Sequence, residues 1–138
     1  MRGFTIKTGD SKPIRFKFYH DAAPNTVIAF SKTLPFSQTF FHAKFSGEEI
    51  WTSIAPELQI IQENSSVFTE TGEIVIGPKT PGRVRTAGCM GIYYGEGKGL
   101  DACNIFGKVF DEDLNLLKEL GKQIWMTGGT ALTFDLLP

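Results

Sequence analysis

The stretch TFFHAKFSGEEIWT, residues 39–52, predicts two β-strands joined by a tight turn. Its first half alternates, with Phe41 on one face of the strand and His42 on the other. Ser46-Gly47 marks the turn, and the second half resumes an extended strand through Ile54. The opening stretch therefore indicates antiparallel β structure with a buried face.

The preceding residues predict a hairpin and a helix. Phe4 and Ile6 begin a strand, and residues 14–18 alternate in a partner strand, with Gly9-Asp10-Ser11 as the turn. Pro24 suits the first turn of a helix, and Pro35 ends that helix after about three turns.

Strands dominate the rest of the chain as well, with one further helix. In chain order we expect a long loop with some strand (55–71), a strand (72–77), a loop (78–82), a strand (84–94), a flexible glycine-rich loop (95–99), a strand (103–110), a helix (111–120) that Gly121 ends, and closing strands (123–126 and 130–134).

About eight strands and two helices fit one domain, residues 1–138. The helices lie far apart and show no repeated strand–helix rhythm, which argues against a parallel α/β sheet. We therefore predict a mainly β fold, a closed or nearly closed antiparallel β-barrel, with the two helices plugging its ends.

Composition limits the function classes. The net charge of −1 provides no basic field for nucleic acid or an anionic membrane, and no apolar run is long enough to span a bilayer. The first ten residues lack the apolar core of a signal peptide, so we expect a cytoplasmic protein. Cys89 and Cys103 are expected to be buried thiols, and two histidines are too few for a confident metal site.

Three stretches resemble cyclophilins. These are DAAPNTVIAF (21–30), which is similar to the first cyclophilin helix, Phe41-His42, which is similar to the start of the "F-H-R" strand, and LDACNIFGKV (100–109), which is similar to an "L-D-x-x-H-x-x-F-G-x-V" segment. HAKFSGEEIW (42–51) resembles an element of a bacterial family of cyclophilin-like proteins of uncharacterised function. The resemblance implies a cyclophilin-like barrel.

The prolyl isomerase residues of cyclophilins are not matched. The arginine expected after Phe-His is Ala43, the tryptophan before Leu-Asp is Gly99, and the histidine is Asn104. Losing one preorganised donor commonly costs about 2.7–4 kcal/mol of transition-state stabilisation. The resemblance therefore predicts the barrel without useful isomerase activity.

Several side chains are candidates for a binding site. Glu49 and Trp51 share a strand face, and His42 can act as an acid or base near neutral pH. Tyr94 borders the glycine-rich loop, and Asn104 takes the position of a cyclophilin pocket residue. Arg83 and Arg85 are weaker candidates for binding an anion, since they alternate along one strand face. The glycine-rich residues 95–99 match neither a P-loop nor a dinucleotide fingerprint, so no cofactor is predicted.

Three functional hypotheses remain open at this stage. The first is a binding protein for a small molecule or short peptide in a barrel-side pocket. The second is a divergent peptidyl-prolyl isomerase, and the third is a structural domain whose aromatic strands drive homo-oligomerisation, because 12 phenylalanines favour an exposed apolar patch.

Overall fold

The structure is a computed structural model that describes residues 1–79 and 85–138. Its elements in chain order are β1 (Gly3–Lys7), β2 (Ile14–Phe18), α1 (Pro24–Ser31), β3 (Phe36–His42), β4 (Gly47–Thr52), β5 (Ser65–Phe68), β6 (Glu73–Ile76), β7 (Met90–Val109), a 3₁₀ turn (Asp111–Asp113), α2 (Leu114–Thr127) and β8 (Thr130–Leu137). None of the described helices is long and apolar enough to cross a membrane.

Six strands form a closed antiparallel barrel. They follow the order β2-β1-β8-β3-β4-β7, and the ring closes because β2 also pairs with β7. β5 and β6 pair with β7 outside this path. The predicted mainly β barrel of about eight strands with two helices is confirmed.

β7 is a long strand that passes β6 twice. Ile74 of β6 pairs antiparallel with Ile92 on one side and with Gly107 on the other. The two ends of β7 therefore run in the same direction on either side of β6. The connecting residues 95–103 pair with β4 and β5, so the glycine-rich stretch predicted to be a flexible loop is extended strand instead.

Phenylalanine rings fill the barrel. Phe4 stacks on Phe16 with ring centroids 4.8 Å apart, and Phe30 of α1 lies 4.8 Å from Phe106 of β7. Phe134 of β8 completes this fully buried group. Rings of this size bury a large apolar area each, and the core accounts for seven of the twelve phenylalanines.

Both helices differ in length from the prediction. α1 makes about two turns rather than three. α2 continues to Thr127, so the strand predicted at 123–126 is wrong. Gly121, predicted to end α2, lies within it. A Cβ at this position would overlap the Tyr94 ring on β7, which explains why a glycine stands there. Close packing of helix on sheet therefore selects this glycine, and its helix-ending role is not used.

Within the described residues, the strand predicted over 84–94 begins at Met90. Arg85 lies in a turn rather than on a strand face, and Arg83 lies outside the described residues.

Candidate functional site

Strand alternation places two candidate residues on the outside of the barrel. In the β4–β7 pairing, Ile50 lies opposite Ile92, and both are fully buried in the main core. Glu49 lies opposite Tyr93, and Trp51 opposite Gly91, so these neighbours face the other way. The shared face predicted for Glu49 and Trp51 is therefore part of the outer surface of the sheet.

A cavity of about 710 Å³ lies over this outer face. It is bounded by the chain that follows β3 (residues 43–46), by part of the connecting segment of β7 (residues 99–101 and 103) and by the C-terminal end of α2. Most of its lining side chains are apolar or aromatic, among them Phe41, Phe45, Trp51, Met90 and Trp125. Such a concave, mainly apolar space with few polar groups is typical of small-molecule sites.

Glu49 is the buried acid of the cavity, with 9% of its surface exposed. Its Oε1 accepts a hydrogen bond from the Ser46 hydroxyl, and its Oε2 lies against Gly91, where a Cβ would overlap the carboxylate. Burial raises the pKa of Glu49 to about 7, although hydrogen bonds from Ser46 and Tyr93 act in the opposite direction. Within the described ranges, no cation pairs with this carboxylate.

Neutral groups surround Glu49. Burial and the nearby Glu49 carboxylate raise the pKa of the Tyr93 phenol, and they raise the pKa of the Cys89 thiol as well. Burial raises the pKa of Cys103 to about 11, and its sulfur lies 2.9 Å from the Thr86 hydroxyl. Both thiols therefore stay protonated at neutral pH, which is the state of an unreactive buried cysteine.

His42 lines the cavity but uses both ring nitrogens within the protein. Its Nδ1 lies 2.8 Å from the Ala43 carbonyl oxygen, which can only accept a hydrogen bond. Its Nε2 forms a hydrogen bond with the Tyr94 hydroxyl over 2.7 Å. The ring also packs edge-on against Trp125 with centroids 4.7 Å apart. His42 thus connects β3, β7 and α2 at the rim.

Asn104 is fully buried at a place that does not line the cavity. Its Nδ2 donates to the Thr26 hydroxyl (3.1 Å) and to the Ile61 carbonyl (2.9 Å), and its Oδ1 accepts from the Glu63 amide (3.1 Å). The Glu63 carboxylate in turn accepts hydrogen bonds from Thr26 in the first turn of α1. Asn104 therefore ties β7 to α1 and to the chain before β5.

Arg85 is exposed beside the connecting segment of β7. Its backbone amide donates to Asp101 Oδ2 (2.9 Å), and its guanidinium Nη2 donates to the Leu100 carbonyl (3.0 Å).

Of the candidate residues, the structure brings His42, Glu49 and Trp51 to one cavity, with Tyr94 behind His42. Asn104 lies elsewhere. Two cavity residues gave no functional signal in the sequence, since Ser46 reads only as a turn residue and Trp125 falls in a segment predicted to be a strand.

A family profile matches residues 5–136, almost the whole chain. The chain belongs to the DUF3830 family of proteins of unknown function. No curated protein matches the sequence.

Solved structures share the fold of this DUF3830 chain. McbB, solved in complex with tryptophan, superposes with a TM-score of 0.71 at 13% identity over 96% of this chain, which spans only 44% of McbB. The hypothetical protein AF2241 from Archaeoglobus fulgidus gives a TM-score of 0.61 at 23% identity over 97% of this chain and 96% of its own.

A cyclophilin-type peptidyl-prolyl isomerase from Cryptosporidium parvum, solved in the presence of the dipeptide Ala-Pro, gives a TM-score of 0.51 at 19% identity over 84% of each chain. The cyclophilin-like fold implied by the sequence resemblance is therefore confirmed. In the DUF3830 chain Ala43 and Gly99 both line the cavity. Ala43 presents a methyl group where the resemblance would place an arginine, and Gly99 has no side chain where it would place a tryptophan.

Proposed function

We propose that this protein binds a small organic molecule in the outer cavity, with Glu49 as the polar anchor. The observation that carries the proposal is a space of about 710 Å³ whose mostly aromatic and apolar walls surround one buried carboxyl group. Ligand sites of roughly 300–1,000 Å³ commonly have this composition. McbB was solved in complex with tryptophan and the cyclophilin in the presence of the dipeptide Ala-Pro, so proteins that contain this fold occur with small ligands.

A cavity-filling variant tests the proposal. Ala43 lines the cavity and is nearly buried, so Ala43→Leu fills part of the space without removing the backbone hydrogen bond from its amide to Glu49. Ala22→Leu is the matched control, because Ala22 is exposed before α1. A fragment library is screened against the ¹⁵N-labelled protein by NMR. We expect fragments that shift the amides of Glu49 and Gly91 in the protein and in Ala22→Leu but not in Ala43→Leu. Fragments that bind all three equally would contradict the proposal.

Prolyl isomerisation is the second hypothesis, and the cavity argues against it. Peptide rotation has a barrier of about 18–20 kcal/mol, and Ala43 offers no donor to lower it. We expect a proline-peptide isomerisation assay to show no acceleration above the uncatalysed rate. A rate constant comparable with that of a true cyclophilin would overturn this view.

Homo-oligomerisation is the third hypothesis, and it is favoured by the rim of the cavity. Phe45 is 82% exposed and Trp125 is 64% exposed, and Phe41 and Leu100 are also exposed there. Sedimentation velocity at micromolar concentration distinguishes the hypotheses. A monomer supports a binding site that is open to ligand, whereas a dimer that Phe45→Ser dissociates supports the structural role.

Two free thiols, Cys89 and Cys103, fit a reducing compartment, so we also propose a cytoplasmic location. Cell fractionation tests this, and recovery from an oxidising compartment would contradict it.

A further inference from the structure

We propose that the ligand of the cavity carries a positively charged nitrogen, an ammonium or amidinium group, that binds the Glu49 carboxylate. This inference rests on the proposed function, since it names the class of ligand that the same cavity accepts.

Among the residues that the structure describes, the groups that face Glu49 include no cation. They are the Ser46 hydroxyl on the loop after β3, the Tyr93 phenol and Cys103 thiol on β7, and the Cys89 thiol just before β7. All are neutral at pH 7. A carboxylate held out of water is costly unless an opposite charge accompanies it. A ligand cation would supply the partner that the described residues do not.

The other charged or titratable groups of the described lining form no ion pair with Glu49. Lys44 is an exposed side chain, and the ring nitrogens of His42 are committed to Ala43 and Tyr94. Asp101 adds a second carboxylate, which accepts backbone hydrogen bonds from Arg85 and Ala102. Glu49 and Asp101 together disfavour an anionic ligand at this site.

The walls favour a cation for an independent reason. Aromatic side chains from five parts of the chain line the cavity: Phe41 (β3), Phe45 (the loop after β3), Trp51 (β4), Tyr93 (β7) and Trp125 (α2). The faces of such rings are negative and attract a cation within about 6 Å of the ring centre. A protonated amine on an apolar or aromatic body can therefore contact a carboxylate and aromatic faces at the same time.

Three fragments of similar shape and different charge test the inference: 2-phenylethylamine, 2-phenylethanol and 3-phenylpropionate. Each is titrated into the ¹⁵N-labelled full chain, and dissociation constants are taken from the shifts of the Glu49 and Gly91 amides. We expect the amine to bind at least about tenfold more tightly than the alcohol, and the carboxylate to bind most weakly. Glu49→Gln should reduce the preference for the amine over the alcohol to less than about threefold.

The pH dependence of binding provides a second readout. Because burial places the pKa of Glu49 at about 7, the carboxylate is mostly protonated at pH 6 and mostly ionised at pH 8. We expect the amine to bind about tenfold more tightly at pH 8 than at pH 6, and this dependence to disappear in Glu49→Gln. A dependence that persists in the variant would assign the titration to a group other than Glu49 and would overturn the inference.

The results separate this inference from the proposed function. If the alcohol or the carboxylate binds in the cavity as tightly as the amine does, the cavity is a ligand site and the charge assignment is wrong. If none of the three shifts an amide of the cavity at millimolar concentration, both the inference and the proposed function are refuted for ligands of this size.

Discussion

Replacing Glu49 with glutamine should stabilise the protein, and by more as the pH rises. Burial moves the pKa of this carboxyl from an ordinary 4.5 to about 7 in the folded protein. Below pH 4.5 Glu49 is protonated in both the folded and unfolded states and costs nothing. As the pH rises from 4.5 to 7, the unfolded state loses its proton first, so the free energy of unfolding falls.

The size of the effect follows from the same shift. Each pKa unit corresponds to about 1.4 kcal/mol, so ionised Glu49 costs the folded state about 3 kcal/mol above pH 7. A glutamine keeps the shape of the side chain and can accept the hydrogen bond from Ser46 without carrying the charge. Relative to its effect at pH 4, Glu49→Gln should therefore gain about 3 kcal/mol at pH 8.5.

Urea denaturation measured at intervals between pH 4 and 8.5 provides the assay, with tryptophan fluorescence as the signal. Glu48→Gln is the matched control, since Glu48 is the adjacent but exposed carboxylate of β4 and its replacement removes one charge without changing the buried carboxyl. A constant difference between Glu49→Gln and the parent across this range would refute the reasoning, because it would mean that the buried carboxylate is already compensated.

Three further predictions concern the fold and are measured by chemical denaturation. Gly121→Ala should lower the free energy of unfolding by about 1–2 kcal/mol despite the higher helix propensity of alanine, because the added methyl group overlaps the Tyr94 ring, and an increase in stability would contradict this packing. Asp113→Ala should cost about 1–2 kcal/mol, mainly because the Arg15 backbone amide loses its acceptor at 2.9 Å, while the exposed Arg15 side chain can be hydrated; a cost below about 0.5 kcal/mol would show that water replaces this acceptor as well. Asn104→Leu should cost about 3 kcal/mol and leave the dissociation constant of 2-phenylethylamine unchanged within about twofold, whereas a specific loss of binding would place Asn104 in the ligand site.

The barrel itself could be predicted because its strands carry a local signal. The alternation in residues 14–18 marks a buried face, since Ile14, Phe16 and Phe18 are buried, and Pro24 marks the start of α1. The errors fall where a tertiary contact overrides a local preference. Gly121 has the composition of a helix end, but the Tyr94 ring requires a residue without a side chain there, so the helix continues past it.

The candidate site was only partly predictable, for a related reason. Alternation places Glu49 and Trp51 on one face, but local sequence cannot show whether that face meets water. Residues 95–103 decide this, because they pair with β4 and β5 and cover the outer side of the sheet, although their glycines suggest a loop. Glu49 is thus a solvent-facing residue by its local pattern and a buried acid by its long-range pairing. The chemistry of the site, a buried carboxyl without a cationic partner among the described residues, follows from that pairing. It is therefore visible in the strand register and not in a sequence motif.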